Sequence, residues 1–386
     1  MIAQTTAIDS GTLEKLKDIR QHLHVIAEVS EKEFETAKFI KSQLKDCQPD
    51  QLIDQLGGTG LLAIFDSGNP GPFIIFRAEL DALPIQEINH FKYKSSTEGV
   101  SHKCGHDGHS TTLLGFAQWL AQNRPANGKV GLMFQPAEEN GMGAAAILAD
   151  EKWNDIHPDF VVAYHNLPGY NLGEIVFKPG SFTAAVKSII LKITGKTAHA
   201  AEPENGFNPA FTIADILQKV DSLSNNAPER SDFAVITPVH VNVGDLSYGI
   251  AAGYGELHLT IRTWTTAEIE KLEKNILEIA QSSCEATQTK LSVEFTQVFA
   301  ANENDDLVVD AIRNAGEQLK LSVHERAYPF KWGEDFGLFT QRYKGAMFGI
   351  GAGKETPALH NPDYDFPDDI LPIGIEMFKT IWQKLQ

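Results

Sequence analysis

The stretch VSHKCGHDGHST, residues 100–111, places three histidines, one cysteine and one aspartate within eight consecutive positions, with glycines between them. Neutral imidazoles, a thiolate and a carboxylate are donors that suit Zn²⁺ and the related ions Mn²⁺, Co²⁺ and Ni²⁺. Cys104 and His106 are two apart in a glycine-containing loop, so both can face one point. A thiolate near a helix N-terminus is stabilised by the dipole and by a metal. A rival reading makes Cys104 a redox or nucleophilic thiol activated by His102, His106 and His109. It leaves other polar residues without a task. Glu138 and Glu139 follow the apolar run KVGLMFQ, Asp81 follows PFIIFRAEL, His165 ends DFVVAYH, and His360 follows GAMFGIGAG. On an irregular turn one of the adjacent glutamates can hold a metal while the other reaches the water bound to it. A glutamate beside such a water is the expected general base of metal-assisted hydrolysis.

The apolar runs explain why these residues should meet. GLLAIFD (60–66), PFIIFRAEL (72–80), KVGLMFQ (129–135) and DFVVAYH (159–165) read as buried strands, with helical patterns between them. Residues 11–46 read as helical, and STTLLGFAQWLAQN (110–123) sets Leu113, Leu114, Ala117 and Leu120 on one helical face. Strands alternating with helices predict a mixed, mostly parallel α/β sheet with helices on both faces. Ligands of such sheets bind beyond the carboxyl ends of the strands, which is where the polar clusters fall.

After about residue 182 the pattern changes. Strands at 187–195, 235–244, 255–264 and 290–299 and helices at 206–223 and 266–286 follow the order β-α-β-β-α-β. That is a ferredoxin-like α+β unit. The expected division is a catalytic domain of residues 1–182 and 300–386, with 183–299 inserted.

Bulk properties narrow the function. A chain of 386 residues exceeds one ordinary core. The net charge, 33 − 51 = −18, excludes the electrostatic footprint of a nucleic-acid or anionic-membrane binder. Three cysteines, Cys47, Cys104 and Cys284, imply no disulfide framework and a reducing, cytoplasmic compartment. The amphipathic N-terminal stretch MIAQTTAIDSGTLEKLKDIRQHL has no apolar core of a signal peptide, and no run approaches the length of a membrane span.

The motifs resemble one family, the co-catalytic di-metal amidohydrolases. It includes hippurate hydrolase, the indole-acetyl-amino acid hydrolases and bacterial N-acyl-amino acid amidohydrolases, with carboxypeptidase G and the dipeptidases as more distant kin. RQHLH…AEVSEKEFETAKFI, FRAELDALP, SHKCGHDGHSTTLLG, MFQPAEENGMGAAAIL, AYHNLPG, GKTAHAAEPENGFNPA, GEDFGLF and LHNPDYDFPDDIL occur in family order. The resemblance implies two divalent ions per subunit, Zn or else Mn, Co or Ni. Cys104 would bridge them, His106 and His165 would complete one site, and Glu139 and His360 the other. Glu138 would be the general base that activates the bridging water and passes its proton to the leaving amine. Asp81 would orient a ligand without binding metal. His199, in TAHAAEP, would polarise the scissile carbonyl from the partner subunit, which implies a homodimer through the inserted dimerisation and lid domain. Arg262, in TIRTW, would lie near the substrate carboxylate.

Two departures stand out. Relatives carry an NxxP pattern ahead of the TIRTW strand, where this chain has GIAAG with Gly249 and Ala252, and HVIAEVS replaces a usual HPE. The first puts the grip on the substrate carboxylate in doubt.

The implied activity is hydrolysis of the amide of an N-acyl amino acid. A dipeptidase or carboxypeptidase on the same centre is the enzymatic alternative. A non-catalytic metal-binding or interaction protein is disfavoured by the intact ligand set and base. Asp107 and His109 read as supporting or helix-capping residues, and His102 has no assigned role.

Overall fold

The structure is a computed structural model and describes residues 9–386; the first eight residues of the N-terminal stretch read above lie outside the described residues. In chain order the elements are α1 (Ser10–Val25), α2 (Phe34–Asp46), β1 (Gln51–Leu56), β2 (Gly60–Asp66), β3 (Phe73–Glu79), α3 (His106–Gln122), β4 (Lys129–Gln135), α4 (Gly143–Ala149), β5 (Phe160–Pro168), β6 (Ile175–Phe177) and β7 (Gly180–Thr183). There follow β8 (Ala185–Thr194), β9 (Ala198–His199), α5 (Pro209–Asp221), β10 (Ala234–Val243), β11 (Ile250–Ala251), β12 (Tyr254–Thr263), α6 (Thr266–Ala286) and β13 (Lys290–Phe299). The last are β14 (Asn302–Asn304), α7 (Asp306–Gln318), β15 (Val323–Glu325), α8 (Gly337–Thr340), β16 (Lys344–Gly353) and α9 (Leu371–Lys384).

Two compact units result. The first comprises the described residues through Phe182, with Asn302–Ala327 and Glu334–Gln386. Its sheet has eight strands in the order β1-β2-β4-β3-β5-β16-β6-β15. The four central strands β4, β3, β5 and β16 run parallel, so their carboxyl ends share one edge. They are apolar nearly throughout because helices shield both faces; Ile74, Phe76, Val162, Tyr164 and Phe348 pack with residues of α1, α3, α7 and α9 in one core.

The second unit comprises Thr183–Ala301 and Tyr328–Gly333. Its antiparallel sheet has the order β10-β12-β8-β13. Along β12 buried and half-exposed residues alternate, the signature of a sheet covered on one face. Isoleucines and leucines of β8 and β12 pack with Ile213, Ile216, Ile269 and Ile276 of α5 and α6.

Four features differ from the sequence reading. Residues 11–46 are not helical throughout: between α1 and α2, Val29 pairs with Ala82, and Glu31 takes a left-handed φ of 67° that no helix accommodates. α3 starts at His106 instead of near Ser110, so His106, Asp107 and His109 lie on its first turn. β5 runs on past His165 to Pro168, paired with β16. Residues 328–333 belong with the second unit, which the linear order of elements does not reveal.

Candidate metal centre

The loop between β3 and α3 delivers the first ligand candidates. Gly105 caps α3 with φ 94°, and a Cβ there would lie 2.6 Å from Asn166 Oδ1, so no side chain fits. The chain thereby turns Cys104 and His106 inward, where both are buried. His106 Nδ1 lies 2.8 Å from the carbonyl of Asp81, and His165 Nδ1 lies 2.8 Å from the carbonyl of Asn166. A carbonyl can only accept, so each ring donates through Nδ1–H, and in the neutral ring Nε2 keeps the lone pair. His165 Nε2 is 3.4 Å from Cys104 Sγ, and the buried His106 Nε2 has no hydrogen-bond partner among the described residues.

The second group follows β4. Ala137 holds a left-handed φ of 51°, and its N–H donates to Glu33 Oε1 at 2.8 Å. Next, the Glu139 N–H donates to Asp81 Oδ2 at 3.0 Å, an oxygen that also accepts from Ser30 Oγ at 2.7 Å. Asp81 is thus an anchor: its carboxylate fixes Glu139 and its carbonyl fixes the ring of His106. Glu138 and Glu139 carboxylates each come within 3.8 Å of His106 Nε2. His360, on the loop after β16, has φ 66° and reaches 3.7 Å from Glu139 Oε2.

These residues form two triads that share Cys104. The ligand atoms of Cys104, His106 and His165 lie within 4.8 Å of one another, as do those of Cys104, Glu139 and His360. Glu138 completes a third group with His106 and Glu139. The donor set of thiol, imidazoles and carboxylate fits borderline divalent ions. The charges fit as well. Burial, then Glu334 and Glu139, push the Glu138 carboxyl well above its ordinary range. Burial lifts Glu139 to about 7, and burial with Glu139 and Glu138 raises the Cys104 thiol. Burial disfavours a charged His106, yet Glu79, Asp81 and Glu139 outweigh it and carry the ring to about 10. Such crowded acceptors lack positive charge, which a divalent cation supplies; a coordinating thiol is then deprotonated.

Two further clusters are already satisfied. His109 is bonded by Glu79 at 2.6 Å and Asn166 at 2.5 Å. Glu334 and Asp335 lie within 4.8 Å of Glu138. Both are bound by Arg77, at 2.9 and 2.8 Å, and Gln135 also bonds Asp335. The buried Asp107 accepts from His24 at 2.8 Å, and its other carboxylate oxygen accepts the Gly108 N–H in the first turn of α3 at 2.9 Å. His102 is buried with both ring nitrogens lacking a hydrogen-bond partner among the described residues.

His199 and Arg262 belong to the second unit. His199 is exposed on β9, and its Nδ1 accepts the Ala201 N–H at 3.0 Å, so the neutral ring carries its proton on Nε2. β9 pairs with β11, and Gly249 accepts the Ala200 N–H, so the GIAAG segment that departs from the family pattern frames His199. Arg262 is half-buried and donates to the Lys331 carbonyl at 2.6 Å.

Sequence reasoning missed Glu33, Arg77 and Lys103. Arg77 had a signal, a lone cation inside an apolar strand. Glu33 lay inside a stretch read as helix, and Lys103 lay among stronger metal-ligand types.

Known proteins resemble the chain over nearly its whole length. An N-acetyl-L-cysteine deacetylase of Bacillus subtilis is 33% identical over 365 residues, 94% of this chain and 86% of the relative. A hippurate hydrolase of Campylobacter jejuni is 29% identical over 363 residues, 94% of this chain and 93% of the relative. A Bacillus subtilis crystal structure, described as a dinuclear metal binding peptidase, superposes with a TM-score of 0.83 at 26% identity and covers 97% of this chain and 98% of its own. The model of peptidase family M20/M25/M40 matches residues 75–384. Fold, buried donor set and matched residues agree, and the chain belongs to peptidase family M20/M25/M40.

Proposed function

We propose that this chain is a metal-dependent amidohydrolase that cleaves the amide of N-acyl amino acids, with Glu138 as general base. The observation that carries the reading is the pair of triads sharing Cys104, with Glu138 facing His106 beside them. The deacetylase and hippurate hydrolase relatives support the substrate class.

In this reading Cys104, His106 and His165 hold one divalent ion, and Cys104, Glu139 and His360 hold another; Zn²⁺ is first choice, with Mn²⁺, Co²⁺ or Ni²⁺ as alternatives. Such ions, when bound, supply Lewis acidity that acidifies water and polarises a carbonyl. The side chains do the rest. Glu138 takes the proton of the attacking water, and its raised proton affinity suits a group that must then deliver that proton to the leaving amine. Asp81 keeps His106 and Glu139 oriented. His199 offers Nε2–H to the carbonyl oxygen as negative charge develops. Arg262 is the candidate partner of the substrate carboxylate in this reading, offering the N–H groups that it does not spend on the Lys331 carbonyl.

The first unit is then catalytic, and the second serves dimerisation and closure. β10 is the outer strand of its sheet and exposes Val239 and Val241, which supports a homodimer through that edge. The three cysteines are free, which supports a reducing, cytoplasmic setting, and no helix among the described residues is long and apolar enough to cross a membrane.

The test is amine release from a panel of N-acyl amino acids and dipeptides, using metal-stripped protein with each ion added back. Metal-dependent turnover of acyl amino acids is expected. Turnover of dipeptides alone would transfer the chain to the peptidase reading, and no turnover with any ion would defeat both.

A further inference from the structure

The five ligand candidates are not held equally. Cys104, His106 and His165 are buried, and the main chain of Glu139 is tied to Asp81. The His360 side chain is 53% exposed, and its backbone sits at a left-handed φ of 66°. Such a conformation is strained in a residue with a Cβ and persists only where the surroundings impose it. Little of that can come from packing of so exposed a ring, so the backbone must be fixed by its neighbours.

Those neighbours converge on one residue. The His360 N–H donates to the carbonyl of Lys103 at 2.8 Å. The Lys103 ammonium donates at 2.8 Å to the carbonyl of Tyr364, four residues further along the same loop. It also bonds Glu87 Oε1 at 2.5 Å and Asn89 Oδ1 at 3.3 Å. The segment holding those two residues grips the same loop: the Ile88 N–H donates to Pro362 at 3.2 Å and Asn89 Nδ2 to Asp363 at 3.0 Å. Lys103 is 0% exposed, with an acceptor for each of its three N–H groups. Lysine is almost never fully buried without partners. An apolar side chain would fill the same space without the desolvation cost, so the charge marks a place where geometry is being enforced.

We propose that Lys103 is a positioning residue for the His360 half of the metal centre: its carbonyl and its buried ammonium together fasten the loop of His360 to the loop of Cys104. The proposal rests on the reading of the two triads as metal sites. It makes the two halves unequal. The Cys104, His106 and His165 triad is set by β3, α3 and β5 and is independent of the clamp. The Cys104, Glu139 and His360 triad depends on it.

The test titrates metal-stripped protein with Co²⁺ alone, read by calorimetry and by the visible spectrum of the bound ion. The wild type should take up two equivalents. In Lys103→Met the first equivalent should keep its affinity within about threefold, while the second weakens by about ten- to a hundredfold, the usual effect of losing a partner that orients a ligand. Glu87→Gln keeps an acceptor for Lys103 but removes its charge, and should weaken the second step in the same direction by a smaller factor. It carries the test if Lys103→Met does not fold. Two unchanged equivalents, or equal weakening of both, in the folded variant would overturn the proposal. A wild type that binds fewer than two equivalents would overturn the metal reading itself, and the clamp with it.

Discussion

Tautomers and partners decide what each side chain near Cys104 can do. His106 and His165 both spend Nδ1–H on a backbone carbonyl, which leaves Nε2 as the only nitrogen able to bind an ion. His109 spends both nitrogens on Glu79 and Asn166 and is left with none. Glu138 lies outside both triads that share Cys104, so removing it should spare metal binding. Glu138→Ala is expected to keep its metal content and to lose about 10²–10⁴ in kcat or more, the range of a general base. Metal analysis beside steady-state kinetics checks this, and turnover near the wild-type rate would remove Glu138 from the mechanism. Gly105→Ala tests the backbone beneath these residues. Its Cβ would strike Asn166, which also bonds His109 and Tyr364, at a φ of 94°. A loss of about 1–3 kcal/mol in urea unfolding is expected, with weakened metal binding.

The segment joining α1 to α2 shows what local sequence hides at the level of elements. Its residues 26–33 continue a helical-looking pattern, but they supply Ser30 to Asp81 and Glu33 to the turn before Glu138. Glu33 is buried and accepts from the N–H groups of Glu31 and Ala137 and from Thr59 Oγ1. Glu33→Ala should orphan these donors, at about 1–3 kcal/mol each, and lower both the melting temperature and kcat. An unchanged melting temperature would show that the turn stands without it. The strands and the ligand candidates were legible because their signal is residue type: apolar runs, and His, Cys and Glu at the ends of those runs. Glu33 and Lys103 were not, since their role comes from partners 104 and 261 residues away in the chain. The junction of α1 with the site also carries a pH dependence. Burial opposes a charged His24, but hydrogen bonds to Asp107 and Glu87 outweigh it and lift its pKa from 6.5 to about 9. A raised folded pKa stabilises fully below about pH 6.5, and that gain is lost as pH climbs through about 9. Glu87, lowered to about 2 against its burial by His24 and Lys103, acts only on the acid side. Metal-free protein should therefore lose stability between about pH 7 and about pH 9, and His24→Gln should flatten that slope. Parallel slopes in the two proteins would refute the assignment.

At the scale of the whole molecule, the proposed mechanism divides its parts between two units of one chain. Glu138 and the proposed metal ligands lie in the first, His199 in the second. If His199 serves the active site of the other subunit of a homodimer, two inactive variants can repair each other. A Glu138→Gln subunit still offers an intact His199, and a His199→Ala subunit still offers an intact Glu138. Random re-association makes half of the dimers mixed, and each mixed dimer has one complete site of two, so mixing equal amounts should restore about one quarter of wild-type activity. If His199 acts within its own chain, no mixed dimer contains a complete site and mixing restores nothing. The outer strand β10 supplies the control. Val241 is 47% exposed there, and Val241→Lys should turn dimers into monomers by placing a charge where strands would pair. Light scattering reads the change in mass. A monomer that keeps its metal but loses turnover, together with restoration on mixing, would assign His199 to the partner. A fully active monomer would assign the complete reaction to one chain.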